Sequence, residues 1–335
     1  MSKVDYSQIN TLIDVRSASL LTQQDFEQLL VSPSAQTSLR VLENTRYYFK
    51  ADDLNDLDKI EERLTDNLVE NYRFAISEGP NRSIVEVFGA KYIYHNLKVI
   101  FKNLVLNQDN EDLLITIGRF SIDELYHIIQ TSESSVIPNQ IIERVKQIRA
   151  DYDTYQDIKV VNLGLDMAYF DHLDDIRKKE ENPIVDAVIT ALIDFYNVIT
   201  VYRGTQLGKP RSFMFEMLSD KGTVAISDLL QMISDNQLAS WFESINQLPY
   251  VKTFDAYIEK MNEGTIQAYD LERMETEYIY QLLKEELLNP NDVVPLLFYL
   301  YRKEMEITNL RLILNGRVSG LPIEKIKERM RPVYE

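Results

Sequence analysis

Residues 293–331 read VVPLLFYLYRKEMEITNLRLILNGRVSGLPIEKIKERMR. Val293 to Tyr301 is an apolar run, with Pro295 where a first-turn proline is tolerated. Nine residues fall far short of the ~18 that indicate a membrane span. From there to Arg317 only Gly316 is a helix breaker. Apolar side chains occupy most sides: Leu297, Phe298, Leu300, Met305, Ile307, Leu310, Leu312, Ile313 and Leu314. A helix that is apolar nearly all round is a buried helix. One stripe differs. Glu304, Thr308, Arg311 and Asn315 follow a 4-3-4 spacing and share one face. Gly316 and Gly320 can end the helix, and Pro322 can open a short second one over IEKIKERM.

The rest of the chain agrees with a helical reading. Glycine and proline number ten each in 335 residues, too few for a protein built on hairpin turns. Helical periods are common and alternating strand patterns scarce, so the predicted fold class is all-α. The length suffices for two or three core-forming units. A net charge of −17 argues against a nucleic-acid partner, which selects a basic surface. Without cysteine there are no disulfides, thiolate nucleophiles or zinc–thiolate sites. The N-terminal MSKVDYSQINTLIDVRSASLL is polar throughout and offers no signal-peptide core. No apolar run is long enough to span a bilayer, so the expected location is cytosolic, with any membrane association made through a partner.

Three landmarks recur in the same order. LLTQQDFEQLL (20–30), GRFSIDELYHII (118–129) and TVAISDLLQMI (223–233) each read as a capped short helix. Phe26, Leu125 and Leu229 align at intervals of 99 and 104. LTDNLVENY (64–72), LDMAYFDHL (165–173) and METEYIYQL (274–282) share apolar fifth, sixth and ninth positions. YHNLKVIFK, FYNVITVYR and ITNLRLILN then centre on Asn96, Asn197 and Asn309. From first landmark to asparagine the separations are 70, 72 and 80. A loop near Pro80, Pro183 or Pro290 precedes each asparagine helix. Three tandem helical pseudo-repeats follow, 1–115, 116–219 and 220–335, forming a three-lobed body.

The segment YRKEMEITNLRLILNGRVSGLPIEKIKERM also resembles the C-terminal signature of the C subunit of prokaryotic V/A-type rotary ATPases, the counterpart of the eukaryotic d subunit. Lys303–Glu304, Asn309–Leu310–Arg311 and Gly320-x-Pro322 carry the match. The rest of the chain is similar more loosely over its full length. The resemblance implies a funnel-like body around a central cavity and a non-catalytic central-rotor subunit. Such a subunit sits peripherally on the cytoplasmic face of the membrane. It joins central-stalk subunits of the D and F type to the membrane proteolipid rotor ring, with the stator membrane subunit as a further neighbour. It transmits torque between ATP hydrolysis or synthesis and H+ or Na+ transport.

Nothing in the residues argues for catalysis. His95, His127 and His172 lie far apart and fit no metal-ligand spacing. Gly204-Thr-Gln-Leu-Gly208-Lys209-Pro210 has three residues between its glycines and proline after the lysine, so it reads as a helix-ending loop rather than a phosphate loop. The acidic runs at 52–62 and 172–182 read as solvated helix faces. No activated nucleophile or acid–base pair stands out. The expectation is no enzyme, no cofactor, no metal and no nucleic acid.

Transferring the stripe of the third asparagine helix to the others gives Lys91, His95, Lys98 and Lys102 on the first, and Leu192, Tyr196, Ile199 and Arg203 on the second. One reading makes these ordinary solvent-facing stripes. The other makes them an inward surface gripping a partner. Their differences suit a coiled-coil shaft without threefold symmetry, and the lysines suit an acidic partner. A rival class is a helical-repeat scaffold or tether unrelated to a rotary motor. It shares the composition and repeats but leaves the C-terminal signature unexplained.

Overall fold

Two of the three recurring short helices open on a capping box. Thr22 accepts from the Asp25 amide while the Asp25 carboxylate accepts from the Thr22 amide, and Ser121 and Glu124 repeat the exchange. The third starts after Ala225 with no side-chain cap. Phe26, Leu125 and Leu229 are buried in their respective helices. The computed structural model describes residues 4–43, 45–288 and 291–333, and among these there is no strand. Pro290, expected in the loop before the third asparagine helix, lies outside the described residues.

The chain forms two compact units, one of residues 1–82 with 283–335 and one of residues 83–282. The first begins with α1 (Ser7–Ser17), α2 (Gln23–Val31), α3 (Ala35–Leu42) and α4 (Leu57–Glu78). The second contains α5 (Arg82–Leu106), α6 (Ile122–Thr131), α7 (Asn139–Tyr155), α8 (Ile158–Glu180), α9 (Pro183–Gln206), α10 (Arg211–Glu216), α11 (Ile226–Ser234), α12 (Leu238–Ile245), α13 (Asp255–Glu263) and α14 (Ala268–Glu285). The chain then returns to the first unit with α15 (Val294–Val318) and α16 (Ile323–Arg329).

In the first unit α15 is the central helix. It packs on α4, α1 and α2, burying Leu296, Leu297, Leu300, Ile307, Leu310 and Ile313. Gly316 does not end it. That residue lies inside the helix, and a Cβ there would stand 2.8 Å from Ile326 of α16. The chain turns instead at Gly320, whose φ of +67° favours glycine. Arg317 donates to the carbonyls of Leu29 and Ser32, satisfying the end of α2. A buried charged group ties the N-terminal segment to α15. Lys303 Nζ lies 2.6 Å from Glu306 Oε1, the Tyr47 hydroxyl donates to the same oxygen at 2.6 Å, and the Leu21 amide donates to Oε2 at 2.5 Å. Burial and Glu306 together hold the Tyr47 phenol well above its ordinary range.

In the second unit, α5 to α8 share a core that includes Ile93, Leu97, Ile100, Leu125, Ile128, Val145, Val161 and Leu165. Around α9 the core is aromatic. Phe195 meets Trp241 edge-on at 5.3 Å and Tyr278 at 5.7 Å. Helix α9 corrects the reading that no apolar run reaches membrane length. By length and composition it could cross a bilayer, yet most of that stretch is buried inside the unit. The acidic-run reading also needs correction. Asp53, His172 and Asp174 are buried and engaged rather than solvated. Asp53 accepts from the Lys50 amide and from Arg63, and Asp174 from Arg177 and Lys178. The stretch 207–210 is the turn between α9 and α10, although Gly204 still belongs to α9.

The three asparagines do one job three times. Asn96 Nδ2 donates to the Ile115 carbonyl at 2.6 Å, and its Oδ1 accepts from the Ile115 amide at 2.9 Å. Asn197 makes the same exchange with Ser219, at 2.9 Å each way. Asn309 makes it with Arg331, at 3.0 and 2.7 Å. Each is 1% exposed. A buried side-chain amide that satisfies both backbone groups of one residue pins the segment leaving the helix back onto it.

Candidate partner-binding surface

The stripe residues project from α5, α9 and α15, and the structure gives most of them a partner within their own unit. On α15, Glu304 is buried and accepts from the Tyr72 hydroxyl of α4 at 2.7 Å. Thr308 Oγ1 donates to the Glu304 carbonyl at 2.8 Å. Arg311 Nε reaches both Glu61 oxygens, at 2.8 and 2.9 Å. Asn315 is half-buried, and its Oδ1 has no hydrogen-bond donor among the described residues.

On α5, Lys91 is exposed, with Nζ 5.0 Å from the Tyr92 ring centre. His95 Nε2 lies 2.8 Å from the Leu113 carbonyl. Lys98 pairs with Asp166 of α8, and Lys102 is half-buried. On α9, Leu192 is half-buried and Ile199 buried. The Tyr196 hydroxyl donates to the Met217 carbonyl at 3.1 Å, and burial pushes its phenol up to about 12. Arg203 is exposed and pairs with Glu272 of α14.

One pattern recurs across the three helices. Lys98–Asp166, Arg203–Glu272 and Arg311–Glu61 each join an asparagine helix to the long helix that carries the second landmark, α8, α14 or α4. Side-chain exposures of 24–55% keep these pairs in contact with solvent, where an ion pair contributes only ~0–1 kcal/mol. They join the helices at the solvent-exposed edge of each pair. The signature residues have structural roles too. Lys303 and Glu304 make buried contacts, Asn309 forms the clasp, Leu310 is core, and Pro322 opens α16.

Some polar residues have no sequence signal as a group. Glu86 is buried on α5, with Oε1 2.8 Å from Arg119 Nε and Oε2 3.2 Å from His172 Nε2. The Tyr94 ring meets His172 edge-on at 5.8 Å. These residues are spread over 86 positions, and only the acid inside the apolar run SIVEVFGA hinted at one of them. The carboxylate meets the imidazole, and among the described residues no serine or threonine hydroxyl is bonded to either. Among the described residues no three His, Asp or Glu side chains are placed to hold a metal ion.

The polar stripes of the three asparagine helices are thus braced largely by the long helices of the same units. Residues 9–329 match the family described as ATP synthase (C/AC39) subunit, and the chain belongs to that family. It is 26% identical to the C subunit of the V-type sodium ATPase of Enterococcus hirae, covering 99% of this chain and 100% of that one. It is 22% identical to the C subunit of the A-type ATP synthase of Pyrococcus abyssi and 26% identical to that of Pyrococcus horikoshii, each over 96% of this chain and 89% of the relative. The resemblance seen at the C-terminus thus extends along the whole chain. A scaffold unrelated to such a machine is set aside.

Proposed function

We propose that the chain is the non-catalytic central-rotor subunit of a V/A-type rotary ATPase. It is a socket that receives the D- and F-type stalk subunits and seats them on the proteolipid ring. It lies peripherally on the cytoplasmic face and passes torque between ATP chemistry and H+ or Na+ transport. One observation carries this reading: the match takes in 99% of this chain and the full length of a V-type sodium ATPase C subunit.

The architecture supports it. Torque needs a stiff body, and close-packed helices with low compressibility supply one. The three-lobed division at 115 and 219 is part of the proposal, and the three identical asparagine clasps favour it. The docking faces proposed are the stripes at Lys91, His95, Lys98 and Lys102; Tyr196 and Arg203; and Glu304, Thr308, Arg311 and Asn315. Glu304 and Tyr196 are bonded within the fold, and Lys98, Arg203 and Arg311 are paired with acids there, so the exposed Lys91 and the half-buried Lys102 are the stripe cations on which this docking reading leans most. Purifying the tagged chain from its native membrane tests the assignment. Recovery with stalk and ring subunits supports it, and recovery with neither removes it.

A further inference from the structure

Between Gly204 and Phe215 the sequence GTQLGKPRSFMF holds Lys209 and Arg211 and no acid, within a chain of net charge −17. Residues 205–213 form an unbroken exposed run. Leu207 is 72% exposed, Phe213 42% and Phe215 52%. Lys209 Nζ stands 5.6 Å from the Phe213 ring centre, and Arg211 donates to Gln231 Oε1 at 3.1 Å. The base of this projection is anchored. Met214 is buried against Gly204, where a Cβ would meet its Sδ at 2.5 Å. The Asn197 clasp holds Ser219 just beyond. Gly208, at φ +63° with open space around it, makes the turn.

The end of α5 and the segment after it also expose leucines, Leu104, Leu106 and Leu113, but that segment carries Asp109, Glu111 and Asp112. The segment after α15 mixes Lys325 with Glu328. Of the three, the α9–α10 tip joins exposed aromatic rings to cations, with the acid Glu216 coming only at the end of α10. A stable protein interface needs about 800 Å² from each partner, which a twelve-residue projection does not supply. A fluid interface makes no such demand. Apolar side chains enter the acyl boundary while lysine and arginine meet headgroup phosphates.

We infer that the α9–α10 tip, through Leu207, Phe213, Phe215, Lys209 and Arg211, contacts the surface of an anionic phospholipid bilayer. This goes beyond the rotor assignment, which concerns protein partners. The test sediments the full chain with phosphatidylglycerol vesicles and with phosphatidylcholine vesicles. Circular dichroism confirms folding of two variants, F213S/F215S and K209E/R211E. The wild type is expected to bind the anionic vesicles preferentially. F213S/F215S should lower that partitioning about tenfold or more, since two aromatic side chains no longer leave water. K209E/R211E should abolish the preference for phosphatidylglycerol. Binding of both folded variants at the wild-type level overturns the inference. So does a wild type that ignores vesicles while F213S/F215S loses the ring from the detergent-solubilised complex, which makes the tip a protein-docking element. Failure of the wild type to co-purify with stalk or ring would remove the rotor reading and leave the vesicle result intact.

Discussion

A single asparagine sets where the chain goes after each long helix. At Asn197 both bonds to Ser219 are buried, so replacing the amide leaves a buried N–H and C=O unsatisfied. Asn197→Leu, of similar volume, is therefore expected to cost roughly 2–4 kcal/mol in urea unfolding. A change below about 0.5 kcal/mol would mean that the clasp is not holding the return segment. Asp194, one turn earlier, gives a pH-dependent prediction. Burial raises its carboxyl above the usual range, against lowering contacts from Thr223 and Arg177. The folded chain then keeps this proton to higher pH than the unfolded chain. Its contribution is full at acid pH and lost as pH rises through the raised value. Asp194→Asn keeps an acceptor for the Thr223 amide, 2.7 Å away, and removes the buried charge. Its urea midpoint should exceed that of the wild type at neutral pH, with the two converging towards pH 4. Equal midpoints across that range would contradict the shift. The asparagines themselves were legible as landmarks. Their partners were not, because a backbone amide 19 or 22 residues further on leaves no trace in side-chain periodicity.

At the level of elements, spacing showed which residues share a face but not whether that face is occupied. The α15 stripe was legible as four polar residues in an apolar helix. That Glu304 meets Tyr72 and Arg311 meets Glu61 depends on where α4 lies, across 232 and 250 residues of chain. The capped starts of α2 and α6 were readable because a capping box is local, while α11 follows the pattern without the cap. On α5 the structure sharpens the test of docking. Lys98 is bound to Asp166, so reversing it would disturb the fold as well as the surface. Lys91 is exposed and Lys102 half-buried, and both can be changed to glutamate with little loss of helix propensity. K91E/K102E should weaken stalk binding and flatten its salt dependence, because rim charges act mainly on association. Stalk affinity measured at two salt concentrations decides this. Wild-type values at both would make the stripe ordinary solvated surface.

For the whole molecule, the all-α class followed from composition and period, since few glycines and prolines leave no supply of hairpin turns. The pairing of the first 82 residues with the last 53 did not. It rests on buried contacts such as Leu21 to Glu306, 285 positions apart, which sequence patterning does not encode. The reading that no apolar run reaches membrane length failed at α9 for a related reason: a core helix surrounded by aromatic rings has the composition of a span. The property proposed for the whole chain is mechanical: it turns with the stalk. The most direct measurement introduces one cysteine here and one in a central-stalk subunit, in the assembled complex, and compares ATP-driven ion transport before and after disulfide formation. Parts that rotate together lose nothing when joined, so transport should continue at close to its uncrosslinked rate. Arrest on crosslinking, relieved by reduction, would place the chain on the stationary side and contradict the rotor assignment.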